Sequence, residues 1–232
     1  MALDFKTFFG DVKAQLRGVA AKLMENLPTG FKEANDKQVD DLKQSGAETQ
    51  AYKAPDTAPD FTLPNQYNEP IQFHPFLEQG PVILSFHRGR WCPYCNLELR
   101  AMQKTLDQFK ELGATLLAIS PQTVEVTQSF ASEMPLKFHV LSDKGGQVAK
   151  QFGLVYKLND DYQAALKSVG VDLKADHGGG DDFTPELSIP ATYIVAQNRK
   201  IVYAFVDADY TKRASPAELI DILKQIKQGT LA

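Results

Sequence analysis

The stretch Val82-Ile-Leu-Ser-Phe86-His-Arg88-Gly-Arg90-Trp91-Cys92-Pro-Tyr-Cys95 decides the fold. Its first five residues are apolar apart from one serine and follow the turn-forming Gly80-Pro81, the pattern of a buried strand. The proline after Cys92 stands where a helix admits one, at its first position. A strand passing through a short polar loop into a helix opens an α/β unit, and the surrounding sequence continues the alternation. Further strands are expected at 115–119, near 138–141, at 192–196 and at 201–206, the last two joined by the polar turn 197–200. Helices are expected at about 93–112, 124–133, 147–152 and 216–227. Upstream, 59–63 and 71–73 suggest a short hairpin. Ser215, Pro216 and Glu218 stand as the cap, first and third positions of the last helix, as in a capping box.

Two segments lie outside this alternation. Leu3, Phe5, Phe8, Phe9, Val12, Leu16, Val19, Ala20 and Leu23 recur at helical spacing, so an amphipathic helix is expected to about residue 27, with a weaker one over 31–43. Residues 1–50 therefore form an expected N-terminal helical extension, joined by a polar, proline-containing connector to a main domain over 54–232. Its apolar stripe suits packing on the main domain, or else a partner subunit in a homodimer. The second segment is an insertion between Tyr156 and Ile189, with an expected helix at 161–169 and the loop Asp-His-Gly-Gly-Gly-Asp-Asp at 176–182. Carboxylates around His177 could meet a hard cation, but the three glycines and the lack of a metal-ligand spacing favour a flexible loop.

The chain has 232 residues, 43% of them hydrophobic, with 29 acidic against 25 basic side chains and a net charge of −4. That length buries a core without staples. The mild acidity argues against nucleic acid and anionic membranes as partners, both of which call for a basic face. No stretch approaches the ~18 apolar residues of a membrane span, and the charged N-terminus does not resemble a signal segment, so a cytoplasmic location is expected. No glycine-rich phosphate loop and no nucleophile elbow occur, and no cofactor is expected.

The two cysteines, Cys92 and Cys95, are too close together to staple distant parts of the chain. At a helix N-terminus, free N–H groups and the helix dipole favour a thiolate, and Arg88 and Arg90 add positive charge. The two-residue gap permits a disulfide, so one thiol can attack and the other resolve. Zinc is disfavoured, because His87 or His74 could add a ligand but no second ligand pair has suitable spacing.

With these residues in place the chain resembles the thioredoxin superfamily, and within it the peroxiredoxins of the alkyl hydroperoxide reductase and thiol-specific antioxidant (AhpC/TSA) family. The markers are Ala58-Pro-Asp-Phe-Thr-Leu63, similar to the opening strand of peroxiredoxins, the Cys-Pro-Tyr-Cys segment, similar also to a glutaredoxin centre, and Ile189-Pro190-Ala-Thr192 leading into a strand. The resemblance spans about residues 54–227. It implies a thioredoxin-like fold, a central mixed sheet flanked by helices, and a cis Pro190 set against the redox pair.

The family's peroxidatic cysteine ends a Pro-x-x-x-Thr-x-x-Cys pattern. Counting from Phe86 places Cys95 there, with Glu98 matching a Cys-x-x-Glu often found with it. The same count puts Arg88 at the family's proline, Cys92 at its threonine and Pro190 where its arginine sits. Donors to the developing oxyanion must then come from elsewhere, with Arg88 the nearest candidate and Arg100 a helical residue suited equally to solvent.

Two schemes use the same pair. In a thiol peroxidase, Cys95 attacks a peroxide and Cys92 resolves the sulfenic acid to a disulfide, which an external thiol of thioredoxin or glutathione type reduces. In a thioredoxin- or glutaredoxin-like oxidoreductase, Cys92 attacks a disulfide substrate and Cys95 resolves, a scheme to which Trp91 and Pro190 are suited. A third possibility is a redox-sensing partner-binding protein that uses the stripe Phe5, Phe8, Phe9. Near the C-terminus Asp207 and Asp209 could face the site at the sheet end, or simply cap their turn.

Overall fold

The computed structural model describes Gly18 and residues 27–231, so the expected helix before residue 27 lies outside the described residues. In chain order come α1 (Phe31–Gln44), the hairpin β1 (Thr62–Pro64) and β2 (Pro70–Gln72), α2 (His74–Gln79), β3 (Val82–Phe86), α3 (Pro93–Glu111) and β4 (Thr115–Ser120). There follow α4 (Val124–Glu133), β5 (His139–Ser142), α5 (Gln147–Gln151), β6 (Val155–Lys157), α6 (Asp160–Ser168), α7 (Leu173–Asp176), β7 (Glu186–Ser188), β8 (Ala191–Val195), β9 (Ile201–Val206) and α8 (Pro216–Lys227).

Five strands form the central sheet in the order β5-β4-β3-β8-β9. β3 runs parallel to β4 and antiparallel to β8, so the sheet is mixed, as expected. Every residue of β3 is buried, because both sheet faces are covered. Alternation along the strands divides the core in two. Leu84, Phe86, Leu117, Ile119 and Tyr193 face one side, where the rings of Phe86 and Phe152 lie 5.0 Å apart. Ile83, Leu116, Ala118 and Ile194 face the other, against Leu99, Met102 and Phe109 of α3 and Leu219 and Leu223 of α8.

The helices at 31–43, 93–112, 124–133 and 216–227 form within a residue of their expected ends. Ser215 does occupy the cap position of α8, but its side chain makes no capping hydrogen bond, so the expected capping box is only positional. Pro190 is buried just before β8, but among the described residues the cis peptide bond is Ala54–Pro55, which corrects the expectation of a cis Pro190.

The insertion is more structured than expected. β6 and β7 pair antiparallel at its base, and α6 and α7 fill the span between them. Asn159 caps α6 through the Tyr162 amide, and Asp172 caps α7 through the Ala175 amide. α1 lies on this unit. Phe31, Asn35, Gln38 and Leu42 recur on one buried face, Phe31 meets Tyr162 edge-on, and Gln38 accepts from the Asn159 amide at 2.8 Å. For α1, then, the amphipathic face packs on its own chain.

Candidate active site

The redox segment leaves the C-terminal end of β3 and turns at Gly89, whose φ is 130°. A Cβ there would stand 3.0 Å from both Gln122 and the Trp91 indole nitrogen, so the turn calls for glycine. The Arg90 amide then donates to Gln122 Oε1, tying the loop to the end of β4. Cys92 is the N-cap of α3 in an extended conformation and Pro93 is its first residue. This places Cys95 in the first turn. Both cysteines are free thiols and wholly buried.

Two buried arginines flank the pair, and they are held differently. Arg213, in the loop after β9, lies with its Nη2 3.4 Å from Cys95 Sγ and donates through Nε to Glu98 Oε2 at 2.8 Å. It also donates through Nη1 to the carbonyls of Tyr210 and Lys212. Glu98 Oε1 accepts from the Thr192 hydroxyl. Cys95 Sγ further accepts from the Arg88 amide at 3.5 Å. The Arg88 side chain instead sits among aromatic rings, with Tyr210 at 4.2 Å, Trp91 at 4.8 Å and Tyr162 at 5.6 Å. Its Nη2 donates to the Tyr162 hydroxyl at 2.7 Å, while its buried Nε has no partner.

These surroundings push the two thiols apart. Burial opposes ionisation of Cys92, but a hydrogen bond from the Cys95 thiol and the charges of Arg88 and Arg213 outweigh it and bring Cys92 down to about 6. Burial, and then the Cys92 thiolate beside it, drive Cys95 upward. Burial lifts Glu98 to about 7 against the pull of Arg213. The neighbouring His87 is held near 3 by burial and by Arg213, so it is a neutral imidazole, and neither of its nitrogens has a partner. At neutral pH the pair therefore holds one thiolate and one thiol.

A cavity of about 730 Å³ opens over the pair. Cys92, Arg88 and Trp91 are part of its lining, Cys95 is not, and further lining comes from Phe31 at the start of α1 and from Tyr162 and Leu166 in the insertion. The two segments outside the α/β alternation thus enclose the redox centre.

Cys92, Cys95, Arg88, Trp91 and Glu98 come together, as the sequence suggested. Pro190 is buried two residues before Thr192, whose hydroxyl meets Glu98. Arg100 is exposed on α3. Asp207 and Asp209 serve their own loop, Asp207 accepting from the Asp209 amide and Asp209 from the Thr211 amide. His74 is exposed, and His177 is buried against Phe183. Among the described residues no group of three potential ligands could hold a metal ion, and no helix is long and apolar enough to cross a membrane. Sequence reasoning missed Arg213, Tyr162 and Tyr210. For Arg213 and Tyr210 the signal in the sequence is the polar run 207–213 after the last strand.

The chain is similar to several known proteins. Residues 54–204 match the model of the AhpC/TSA family. Peroxiredoxin Bcp of Escherichia coli (strain K12) is 34% identical over 102 residues, covering 44% of this chain and 65% of that protein. The thiol-disulfide oxidoreductase ResA of Bacillus thuringiensis subsp. konkukian is 30% identical over 99 residues, 42% of this chain and 56% of the relative. The match thus spans just under two thirds of Bcp's length and just over half of ResA's. Among solved structures, peroxidoxin BcpB from Mycobacterium tuberculosis superposes with a TM-score of 0.58 over 75% of this chain and 97% of its own, at 24% identity. The fold is thioredoxin-like.

Proposed function

This chain belongs to the AhpC/TSA family as a peroxiredoxin-like member of the thioredoxin superfamily, and we propose that it is a thiol-dependent peroxidase in which Cys92 attacks and Cys95 resolves. The observation that carries the assignment is the unequal placing of the two sulfurs. Cys92 lines the cavity together with Arg88 and is the acidic thiol, whereas Cys95 lies off the cavity, held by Arg213. The pattern count favours Cys95 as the attacking residue, but a nucleophile has to be both ionised and within reach of its substrate.

In this scheme the Cys92 thiolate attacks one peroxide oxygen and the O–O bond breaks. The departing alkoxide, or hydroxide, takes the proton of the Cys95 thiol, which points at Cys92, while Arg88 stabilises the negative charge that develops. The Cys95 thiolate then attacks the sulfenic sulfur and expels hydroxide, leaving a disulfide. One peroxide has been reduced by two electrons, and an external thiol restores the pair.

A depressed first cysteine with a sealed second one also suits dithiol–disulfide exchange, the activity that ResA's name states. The complete burial of Cys92 favours a small substrate over a protein disulfide.

Stopped-flow mixing of reduced protein with hydrogen peroxide and with cumene hydroperoxide tests the proposal, because the sole tryptophan, Trp91, lies beside Cys92. We expect oxidation at least about a hundredfold faster than that of free cysteine, the scale of one preorganised donor. Oxidation at the free-cysteine rate, together with rapid reduction of a protein disulfide, would overturn it.

A further inference from the structure

Among the described residues, Arg88 is a buried cation with no carboxylate partner. Arg213 has Glu98 at 2.8 Å, and Arg90, at the cavity rim, lies 3.9 Å from Glu133 and 3.8 Å from Asp176. Arg88, 1% exposed, has only a tyrosine hydroxyl and three rings, with its Nε unpartnered. Cys92 lines the same cavity as Arg88, and its ionised form is the negative charge that Arg88 favours in the reduced protein. Once Cys92 and Cys95 join as a disulfide, that charge is gone. An uncompensated buried charge is costly, so the oxidised site gains most from an anion that can reach the cavity floor.

We propose that the thiol that returns the disulfide to the dithiol is a small molecule bearing a carboxylate, which seats on Arg88 while its sulfur attacks Cys92. This deepens the reading above, since it rests on the pair cycling through a disulfide. The reductant's thiolate attacks Cys92 Sγ, the Cys92–Cys95 bond breaks, and Cys95 leaves as a thiolate beside Arg213, where it takes a proton. A second reductant thiolate attacks the reductant sulfur of the mixed disulfide and releases the Cys92 thiolate. Two thiols have become one disulfide, supplying the two electrons. The lining adds no positive funnel, because Arg90 stands among three acids, Glu133, Asp172 and Asp176, so any selectivity for an anion has to arise at Arg88. A protein thiol would have to reach a wholly buried sulfur past Phe31 and Leu166, whereas a cavity of about 730 Å³ admits a small molecule.

The test follows reduction of protein oxidised beforehand with diamide, so that it does not depend on any peroxide step. The probes are 3-mercaptopropionate, 2-mercaptoethanol, cysteamine and thioredoxin, each rate being divided by the probe's thiolate concentration. Mercaptopropionate is expected to exceed mercaptoethanol by at least about tenfold, as a charge-assisted contact allows, with cysteamine slowest. Arg88→Met should erase the order. In the wild-type protein, propionate should slow mercaptopropionate by competition, a readout that does not depend on the variant folding. Equal rates for the anionic and neutral thiols, no competition by propionate, or thioredoxin outpacing mercaptopropionate would each overturn the proposal. Failure of the peroxidase reading would show instead as slow oxidation by peroxide, with these reduction rates unchanged.

Discussion

Replacing Arg88 with methionine removes the charge nearest the Cys92 side of the pair while keeping a long apolar stem among Trp91, Tyr162 and Tyr210. In the native site three influences outweigh burial to hold Cys92 at about 6, the Cys95 hydrogen bond, then Arg88, then Arg213. An opposite charge at close range moves a pKa by about 1–3 units. A two-unit rise puts the Cys92 inflection near ~8 and lowers the thiolate fraction at pH 7 from roughly nine-tenths to roughly one-tenth. Alkylation of Cys92 by iodoacetamide, followed by peptide mass spectrometry, should therefore slow about tenfold at pH 7. At high pH the two proteins should agree within a few-fold, because both are fully ionised there. Arg88→Lys, which keeps the charge, should retain the low inflection. An Arg88→Met profile that still turns near 6 would refute the assignment of Arg88 as a principal stabiliser of the thiolate.

Arg213→Met strips the partner from Glu98, which is 3% exposed, so it should cost about 3–5 kcal/mol in urea unfolding. Glu98→Gln, which keeps polar contacts, should cost less. Burial holds Glu98 at about 7, above the usual carboxylate value, so the folded state binds its proton more tightly. Its contribution is complete in acid and is lost as pH rises towards and through 7, so Glu98→Gln should flatten the stability–pH curve between about 4.5 and 7. Tyr162→Phe removes the acceptor of the Arg88 Nη2 bond and should lower stability by about 0.5–1.5 kcal/mol, more if the arginine is left unsatisfied, by the same unfolding assay. Phe152→Ala opens a void beside Phe86 and Tyr193 and should cost about 3–5 kcal/mol, read from the unfolding midpoint.

The α/β frame was legible in the sequence because its signals are local. Val82–Phe86 is a buried apolar run, and Pro93 marks the start of α3. The three-residue strands β6 and β7 escaped notice because neither carries a period long enough to count. Within the site, the residues near the cysteines in the chain were found and those far away were not. Arg213 meets Cys95 across 118 positions, and Tyr162 meets Arg88 across 74, pairings that no local pattern announces. The motif count leaves the roles of the two thiols open for a related reason. Counting along a motif fixes a residue's place in the chain, but which sulfur faces a cavity depends on α1 and the insertion folding over it. The cis bond expected at Pro190 was carried over with the superfamily resemblance, and the bond at that position is not cis.

The most direct test is to locate the first oxidised sulfur. Cys95→Ser and Cys92→Ser, each reduced and then treated with one equivalent of hydrogen peroxide at pH 7 in the presence of dimedone, would be mapped by mass spectrometry. Cys92 as the attacking thiol requires rapid dimedone labelling of Cys92 in Cys95→Ser and only slow labelling of Cys95 in Cys92→Ser. Rapid labelling of Cys95 in Cys92→Ser, with Cys92 inert in the other variant, would contradict it and return the attacking role to Cys95.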